Sequence, residues 1–150
     1  MRRGFIALAV AALLYIPAAG QDTAVMTTVQ RFVDAFNKGD TKTAIAVCAE
    51  QTYIIDEFPP FEWHGAGACA KWMADYDADA KKNAITDGVV TLGPPRHVDI
   101  VGGRAYVVVP ADYAFKQNGK PAKETASDLT IVLRKGAAGW RIFAWSWSKN

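Results

Sequence analysis

The sequence predicts an α+β domain in which three helices precede an antiparallel sheet. Up to about residue 83, apolar side chains recur three or four positions apart, which is the spacing of one helix face. Beyond that point the period changes to two, which is typical of strands, and glycine-containing turns separate the apolar runs. The chain has 150 residues, which suits one ordinary domain and excludes a second.

Two helices open the predicted domain. Residues 23–38 form the first, and Gly39 readily adopts the left-handed conformation that ends a helix. Asp40 has a side chain suited to cap the second helix, which is predicted to run through Cys48. The β-branched and aromatic residues 52–55 then predict a short strand. The apolar face of the first helix consists of Val25, Val29, Phe32, Val33 and Phe36.

A loop and a third helix come next. Pro59-Pro60 and Gly65-Ala66-Gly67 bound the predicted loop, since proline and glycine favour turns. After the loop, apolar side chains at helical spacing predict a helix that ends near residues 81–83. Its apolar face is predicted to contain Cys69, Trp72, Met73, Tyr76 and Ala80.

The remainder of the chain predicts the sheet. Gly102-Gly103 and Asn118-Gly119 have the composition of two-residue hairpin turns. Pro94-Pro95 predicts a bend, because proline cannot donate a hydrogen bond to a central strand. The predicted strands cover residues 89–92, 96–101, 104–115, 123–134 and 140–147.

The long strands carry apolar residues on both faces. In residues 104–115 apolar side chains point to either side of the predicted sheet, and in residues 140–147 strict alternation predicts Trp140 and Ile142 opposite Trp145. A single layer of helices covers only one face of a sheet, so the second apolar face needs another partner. We therefore predict a homodimer that forms through the sheet.

The first 20 residues have the pattern of a secretory signal peptide. A cationic start, Met1-Arg2-Arg3, precedes an apolar run and small residues near position 20. The run is shorter than the roughly 20 residues of a membrane-spanning helix, and an uncleaved membrane anchor is the alternative. No cysteine near the cleavage point offers a lipid attachment site. We therefore predict a single mature domain over residues 21–150, secreted or periplasmic, without a stable membrane anchor.

The sequence has two cysteines, Cys48 and Cys69. In an oxidising compartment two cysteines in a small domain are usually paired, so we predict a disulfide between them. The alternative is two buried thiols that pack as small apolar side chains. Their spacing is not that of a redox CxxC motif, and two cysteines alone do not make a structural zinc site.

Charge and motifs exclude several function classes. The formal net charge is +2, and two arginines lie in the predicted leader, so no nucleic-acid partner is expected. The sequence has neither a GxSxG motif nor a phosphate-binding glycine loop. His64 and His97 have no clustered carboxylates beside them, so we predict no metal site and no cofactor.

The order of these elements and several local signatures resemble the SnoaL-like or nuclear transport factor 2-like domains, which include the ketosteroid isomerases. The carrying segments are the end of the first helix at residues 36–40, the start of the third at 65–67, and the C-terminal residues 139–148. The resemblance covers residues 23–149 and implies a cystatin-like cone, a curved sheet wrapped round the helices to enclose a pocket. Because such domains include isomerases, hydratases and non-catalytic assembly domains, the resemblance implies a fold rather than one activity.

The resemblance places Asp56 where ketosteroid isomerases have their general base. A carboxylate at a strand end facing an apolar pocket has its pKa raised by desolvation, which suits proton abstraction next to a carbonyl. Phe32 stands where these isomerases have a tyrosine and has no proton to donate. Asp128 lies near their second hydrogen-bond donor and is the candidate for that role. Other hydroxyls that could serve belong to Tyr53, Tyr76, Tyr106 and Tyr113.

Several candidate residues also suit a purely structural role. Asp56 is suited to cap a turn, and His64 to form local hydrogen bonds near a helix start. The proline-rich segment 58–63 is predicted to close the pocket mouth, whereas core packing is the alternative for Trp72 and Met73. The predicted pocket residues are Phe32, Tyr53, Phe58, Trp63, His64, Trp72, Met73, Tyr76, Tyr113 and Trp145.

These residues leave three functions open. The first is binding of a small, mainly apolar molecule in an aromatic-lined pocket, without a cofactor. The second is a cofactor-free isomerase, or a related proton-transfer enzyme, that uses Asp56 as its general base. The third is a dimeric assembly module that holds no ligand.

Overall fold

Three helices cover one face of a seven-stranded curved sheet in the computed structural model of the chain, which describes residues 18–150. This arrangement confirms the predicted α+β class. The helices are α1 (Ala18–Asn37), α2 (Thr41–Val47) and α3 (Ala68–Lys82). The strands are β1 (Cys48–Ile55), β2 (Glu62–Ala66), β3 (Ile85–Leu92), β4 (His97–Val101), β5 (Arg104–Gln117), β6 (Lys120–Gly136) and β7 (Gly139–Ser148).

The strand order is β2-β1-β7-β6-β5-β3, and β4 pairs with the first part of β5. Neighbouring strands are antiparallel except β1 and β7, which run parallel, so the sheet is mixed. A hairpin cannot join parallel strands, and most of the chain separates these two. The inner face of the sheet, which we define as the face that packs on the helices, contains Val107, Val109, Ile131, Leu133 and Ile142.

The apolar stripe of α1 is buried as the sequence predicts. Val25 and Val29 have no exposed surface, and Phe32 is nearly as buried. At the end of α1, Asn37 Nδ2 donates a hydrogen bond to the carbonyl oxygen of Val90, and Asn37 Oδ1 accepts one from Val90 N–H, both at 2.8 Å. This double hydrogen bond attaches α1 to β3 and fixes one side of the space between the helices and the sheet.

Strand β2 lies in the segment where the sequence predicts a loop. It pairs antiparallel with β1, from Gln51 opposite Ala66 to Ile55 opposite Glu62. The loop prediction is wrong because Trp63 is the only fully buried side chain of β2, so no alternating apolar pattern marks the strand. Strand β1 also begins earlier than predicted, directly where α2 ends.

A β-bulge in β7 changes the predicted distribution of its side chains. Leu133 pairs with Ile142 and Val132 with Ala144, which leaves Phe143 as an extra residue. The bulge interrupts the alternation, so Ile142 and Trp145 are both buried on the inner face. The predicted opposition of these two side chains is therefore wrong.

A second bulge, in β6, positions part of the cavity described below. Tyr113 of β5 pairs with Glu124, whereas Asp112 faces the two residues Thr125 and Ala126. Ala126 has a positive φ of 60°, and its N–H donates to Asp112 Oδ1 over 3.2 Å. As a result, Glu124 lies on the same face of the sheet as Tyr113.

A disulfide joins Cys48, at the start of β1, to Cys69, in the first turn of α3. The predicted pairing is present. The predicted signal peptide lies outside the described residues, except for residues 18–20, which belong to α1. Within residues 18–150 no helix combines the length and apolar character needed to cross a bilayer.

Candidate active site

A cavity of about 120 Å³ lies between helices α1 and α3 and the inner face of the sheet. One water molecule needs only about 10–15 Å³, so the space suits a small organic molecule. Its apolar wall contains aromatic rings from both helices and from the strands. These rings belong to Phe32, Phe36, Phe58, Trp72, Tyr76, Tyr113, Phe115, Trp145 and Trp147.

Asp56 provides a carboxylate in this cavity, directly after β1. Its Oδ2 accepts a hydrogen bond from Trp72 Nε1, and its Oδ1 accepts one from Glu57 N–H, both at 2.8 Å. Burial raises the pKa of Asp56 from 3.8 to about 6, although both hydrogen bonds lower it, and the charge of Glu124 adds to the increase. Asp56 is therefore ionised at neutral pH but more basic than an ordinary aspartate.

Tyr76 and Tyr113 form a pair of hydroxyl groups in the cavity wall, with their oxygens 2.5 Å apart. Burial raises the pKa of both hydroxyls above the usual 10, so both groups are neutral at physiological pH. Gly88 of β3 makes room for the pair, because a Cβ there would lie 2.6 Å from Tyr113 Oη and 3.0 Å from Tyr76 Oη. One of the two hydroxyl protons bridges the pair, and the second is free to be donated elsewhere.

Glu57 and Glu124 bring two more carboxyl groups to the cavity. Lys149 Nζ lies 3.1 Å from Glu57 Oε2 and 3.0 Å from Glu124 Oε1. Burial raises the pKa of Glu57, and a hydrogen bond with Glu124 raises it further, although Lys149 opposes this. Glu124 Oε2 is shielded from water and accepts no hydrogen bond from a described residue when both glutamates are ionised.

Comparison with known families gives a match over residues 25–149, to the SnoaL-like domain. The chain belongs to the SnoaL-like domain family. The match confirms the resemblance stated from the sequence. A comparison with curated protein sequences gives no significant match.

Solved structures similar to this SnoaL-like domain agree in fold. A nuclear transport factor 2-like superfamily protein from Salmonella enterica serovar Typhimurium has a TM-score of 0.74 at 16% identity, over 89% of this chain and 93% of that chain. A ketosteroid isomerase-like protein from Erwinia carotovora atroseptica has a TM-score of 0.67 at 17% identity, over 86% of this chain and 95% of that chain. The CaMKII hub of S. rosetta has a TM-score of 0.72 at 23% identity, over 90% of this chain and 100% of that chain. At these identities the similarity shows the fold alone.

The cavity brings together many of the residues that the sequence predicts for the pocket. Asp56 combines the two roles considered for it, since its Oδ1 caps the turn at Glu57 while the carboxyl group lines the cavity. Of the four tyrosines considered as donors, Tyr76 and Tyr113 reach the cavity. The predicted site residues found in its wall are Phe32, Asp56, Phe58, Trp72, Tyr76, Tyr113 and Trp145.

Four other predicted pocket residues lie outside the cavity. Tyr53 and His64 face each other across β1 and β2 on the outer face of the sheet. Trp63 is buried, and its Nε1 donates to Asp75 Oδ2 over 2.7 Å, which joins β2 to α3. Met73 is part of the hydrophobic core. The segment that contains Trp63 is thus paired with β1 and does not close the cavity, although Phe58 does contribute to its wall.

Asp128 also lies outside the cavity, which corrects its predicted location. Its neighbours Ser127 and Leu129 are buried on the inner face, so strand alternation directs Asp128 to the outer face. There it forms an ion pair with Arg96 at 2.8 Å.

Glu57 and Glu124 are two acidic residues of the cavity wall that the sequence analysis did not predict for the pocket. Strict alternation from Leu129 and Ser127 would place Thr125 on the inner face, and only the bulge brings Glu124 there instead. Glu57 could have been predicted more simply, because it follows Asp56 directly. The two adjacent carboxylates come just before an aromatic, proline-containing segment, and ionisable groups in apolar surroundings are candidates for a functional site.

A second concave surface, the outer groove, lies on the opposite face of the sheet. Its volume is about 580 Å³, and it is lined by Tyr53, Ile54, Ile55, Glu62, Trp63, His64, Thr130, Val132, Ala144, Trp145 and Ser146. Tyr53 and Phe143 pack there with ring centres 5.3 Å apart. Across residues 18–150 no group of three or more histidine, cysteine or carboxylate side chains is arranged to hold a metal ion.

Proposed function

We propose that this SnoaL-like domain binds a small, mainly apolar molecule in the cavity and moves a proton on it, with Asp56 as the general base and without a cofactor. The observation that carries the proposal is the placement of the Asp56 carboxylate, with a pKa of about 6, in an aromatic cavity. A general base is most effective when its pKa lies near the working pH. Asp56 meets this condition at neutral or mildly acidic pH.

The hydrogen bonds of Asp56 support this role because they orient the carboxylate and still leave acceptor positions free on both of its oxygens. Trp72 and the Glu57 N–H each engage a different oxygen. A carboxylate has about four acceptor positions, so both oxygens retain capacity for an incoming proton. Trp72 approaches from α3 and the Glu57 N–H from the turn after β1, and together they hold the group in one orientation.

The tyrosine pair supports the second half of the proposed step. A C–H bond next to a carbonyl breaks, its proton goes to Asp56, and its electron pair forms the C=C bond of an enolate. The enolate oxygen then carries the negative charge and is stabilised by a preorganised donor. Tyr76 and Tyr113 hold one proton beyond the one that bridges them, and that proton is available for the ligand oxygen. Return of the proton to another carbon gives an isomerisation.

Solvent-deuterium exchange tests this proposal without knowledge of the natural substrate. Cyclohexanone and 2-tetralone are small ketones whose α-hydrogens exchange slowly in neutral D₂O, and ¹H NMR follows the loss of the α-signal. The wild-type domain is compared with Asp56→Asn and with a matched control, Asp128→Asn, whose carboxylate lies outside the cavity. We expect the wild type and the control to accelerate exchange equally. Asp56→Asn should reduce the acceleration by about 10²–10⁴-fold.

Other outcomes separate the alternative functions. Exchange that is unchanged in a folded Asp56→Asn variant would remove Asp56 as the base. Binding of either ketone without any exchange would favour a ligand-binding domain that does no chemistry. Failure of both ketones to bind, together with a stable oligomer, would favour the assembly module.

We further propose that the domain forms a homodimer through the outer face of the sheet. Large apolar side chains are exposed there: Tyr53 is 50% exposed, Ile55 61% and Tyr106 45%. Exposed apolar side chains grouped round a groove are typical of protein interaction surfaces. A second copy presents the same surface, so a two-fold contact covers both grooves at once.

Export to an oxidising compartment is also part of the proposal. Its support is the cationic and apolar start of the sequence together with the Cys48–Cys69 disulfide, since such bonds persist mainly outside the cytosol. Mass spectrometry of the protein expressed with its own leader in a bacterial periplasm tests it. The expected mass lacks the first 20 residues and two hydrogens, and a mass that retains the leader would contradict it.

A further inference from the structure

The charged residues of the cavity wall are all acidic. Among residues 18–150, Asp56, Glu57, Asp79 and Glu124 line it, and no lysine, arginine or histidine does. The two tyrosines of the wall are neutral, because burial raises their pKa values. The cavity therefore has a negative potential, which a water-poor and apolar wall strengthens.

Lys149, a mainly exposed side chain, partly offsets the negative charge of the cavity wall. It pairs with Glu57 and Glu124, but its own side chain is 57% exposed, whereas Glu124 is 14% exposed. Ionised Glu57 and Glu124 together carry two negative charges and Lys149 offsets one of them, so one charge remains there in addition to that of Asp56. An anionic ligand would be repelled by Asp56 and Glu124, and a neutral one would leave the charge of Asp56 unpaired.

We propose that the ligand of this cavity is a small amine, whose ammonium group binds near Glu124 and Glu57 while its apolar part packs among the aromatic rings. The inference rests on the proposed function, in that it names the class of molecule that the same cavity accepts. Aromatic rings add to the attraction, since their π-faces favour cations. Phe36 and Tyr76 at 4.9 Å, and Phe58 and Tyr76 at 6.1 Å, place several rings within one small space.

The acidic side chains of the cavity are not explained by a metal site. Among the described residues no three carboxylate, histidine or cysteine side chains are arranged to hold an ion. They are not explained by ion pairs inside the wall either, because Lys149, their one cationic partner among the described residues, is itself mainly exposed. An organic cation satisfies both the charge and the apolar surface, which a hydrated metal ion does not.

Three probes of nearly equal size test the proposal: benzylamine as its ammonium ion, benzyl alcohol and benzoate. Dissociation constants are measured at pH 7.5 by calorimetry and checked by the fluorescence of the cavity tryptophans. We expect the ammonium ion to bind at least tenfold more tightly than benzyl alcohol, and benzoate to bind more weakly than the alcohol. Because the three probes share one ring, the comparison isolates the charge.

Variants locate the charge that makes this selection. Glu124→Gln should reduce the preference for the ammonium ion over the alcohol at least threefold, because the amide carries no charge. The matched control is Glu50→Gln, an exposed glutamate of β1 that does not line the cavity. If Glu124→Gln does not fold, Glu57→Gln replaces it with the same expectation.

The outcomes distinguish this inference from the proposed function. Benzyl alcohol that binds as tightly as the ammonium ion would overturn the amine as ligand and leave the cavity as a binding site for neutral molecules. An equal loss of preference in Glu50→Gln would overturn the role of Glu124, because the effect would then come from net charge. Failure of all three probes to bind would contradict both the inference and the ligand-binding function.

Discussion

Trp72 Nε1 donates a hydrogen bond to Asp56 Oδ2 over 2.8 Å, which joins helix α3 to the turn after β1. The indole is a donor at every physiological pH, so it stabilises the ionised form of the carboxyl group. Burial acts in the opposite direction and is the larger effect, so the pKa of Asp56 rises to about 6. The two effects together give a carboxylate that is both ionised at pH 7 and unusually basic.

The raised pKa of Asp56 makes the stability of the fold depend on pH. Its ordinary value is 3.8 and its value in the folded protein is about 6, so the folded state binds more protons than the unfolded state between those values. The contribution of Asp56 to the free energy of unfolding therefore decreases as pH rises from about 4 to about 6. We expect the free energy of unfolding of the wild type, relative to that of Asp56→Asn, to fall by up to about 3 kcal/mol between pH 4 and pH 7. Urea unfolding at the two pH values measures this difference.

The control for this pH dependence is Asp128→Asn. Asp128 forms a partly exposed ion pair with Arg96, and such pairs contribute only about 0–1 kcal/mol. The free energy of unfolding of the wild type, relative to that of Asp128→Asn, should therefore change by less than about 1 kcal/mol between pH 4 and pH 7. A difference between wild type and Asp56→Asn that stays constant from pH 4 to pH 7 would show that the pKa of Asp56 is ordinary.

Loss of the Trp72 donor should raise the pKa of Asp56 further. Trp72→Phe keeps an aromatic ring in the wall but removes the N–H, and a hydrogen bond to a charged group contributes about 1.5–3 kcal/mol. The expected shift is roughly one pKa unit upward, measured from the carboxyl ¹³C signal of Asp56 during an NMR titration. Trp145→Phe is the control, because Trp145 Nε1 donates to none of the described residues. Equal shifts in both variants would assign the effect to altered packing.

The helices of this domain were predictable because each has a regular signal. Val25, Val29 and Phe32 recur at helical spacing, and Asp40 Oδ1 accepts from Thr43 N–H at 3.0 Å, as its capping role predicts. The strands β5 and β6 were also predictable, since their alternation is long. Strand β2 was not, because its single buried residue produces no period.

The cavity was only partly predictable, for a reason that lies in the bulges. One extra residue reverses the face on which every following side chain lies. Phe143 in β7 and the pair Thr125 and Ala126 in β6 are such insertions, and no glycine or proline marks them in the sequence. Alternation along β6 alone would therefore direct Glu124 away from the cavity. Asp56 and Asp128 were both candidates from the resemblance, and only Asp56 lines the cavity.

Gly88 leaves the space in which the Tyr76 and Tyr113 hydroxyl groups form their hydrogen bond. Gly88→Ala would place a Cβ 2.6 Å from Tyr113 Oη, so the hydroxyl must move and the hydrogen bond to Tyr76 must lengthen or break. Overpacking of this kind costs about 1–3 kcal/mol, which thermal or urea unfolding measures. Gly136→Ala is the control, since its Cβ would meet no atom within 4 Å. A Gly88→Ala variant as stable as Gly136→Ala would mean that the tyrosine ring relocates freely.

The Cys48–Cys69 disulfide should contribute substantially to stability. It spans a sequence separation of 21 residues, for which loop-closure entropy gives about 3 kcal/mol. The double variant Cys48→Ala, Cys69→Ala should lose about that amount in urea unfolding. A reductant should destabilise the wild type and leave the double variant unchanged. If the reductant lowers the free energy of unfolding of the wild type and of the double variant equally, it does not act through this disulfide.

A charge in the outer groove should separate the proposed dimer. Ile55 is 61% exposed on the outer face. A lysine there would lose its hydration wherever a second copy covers it, and the desolvation of a buried charge exceeds what a pairing with Glu62, opposite on β2, returns. Ile55→Lys should therefore elute as a monomer in size exclusion with light scattering at micromolar concentration, where the wild type is a dimer. Ile45→Lys is the control, because Ile45 is exposed on α2, away from the groove. A wild type that is already monomeric would contradict the dimer, and a dimeric Ile55→Lys would move its interface to another surface.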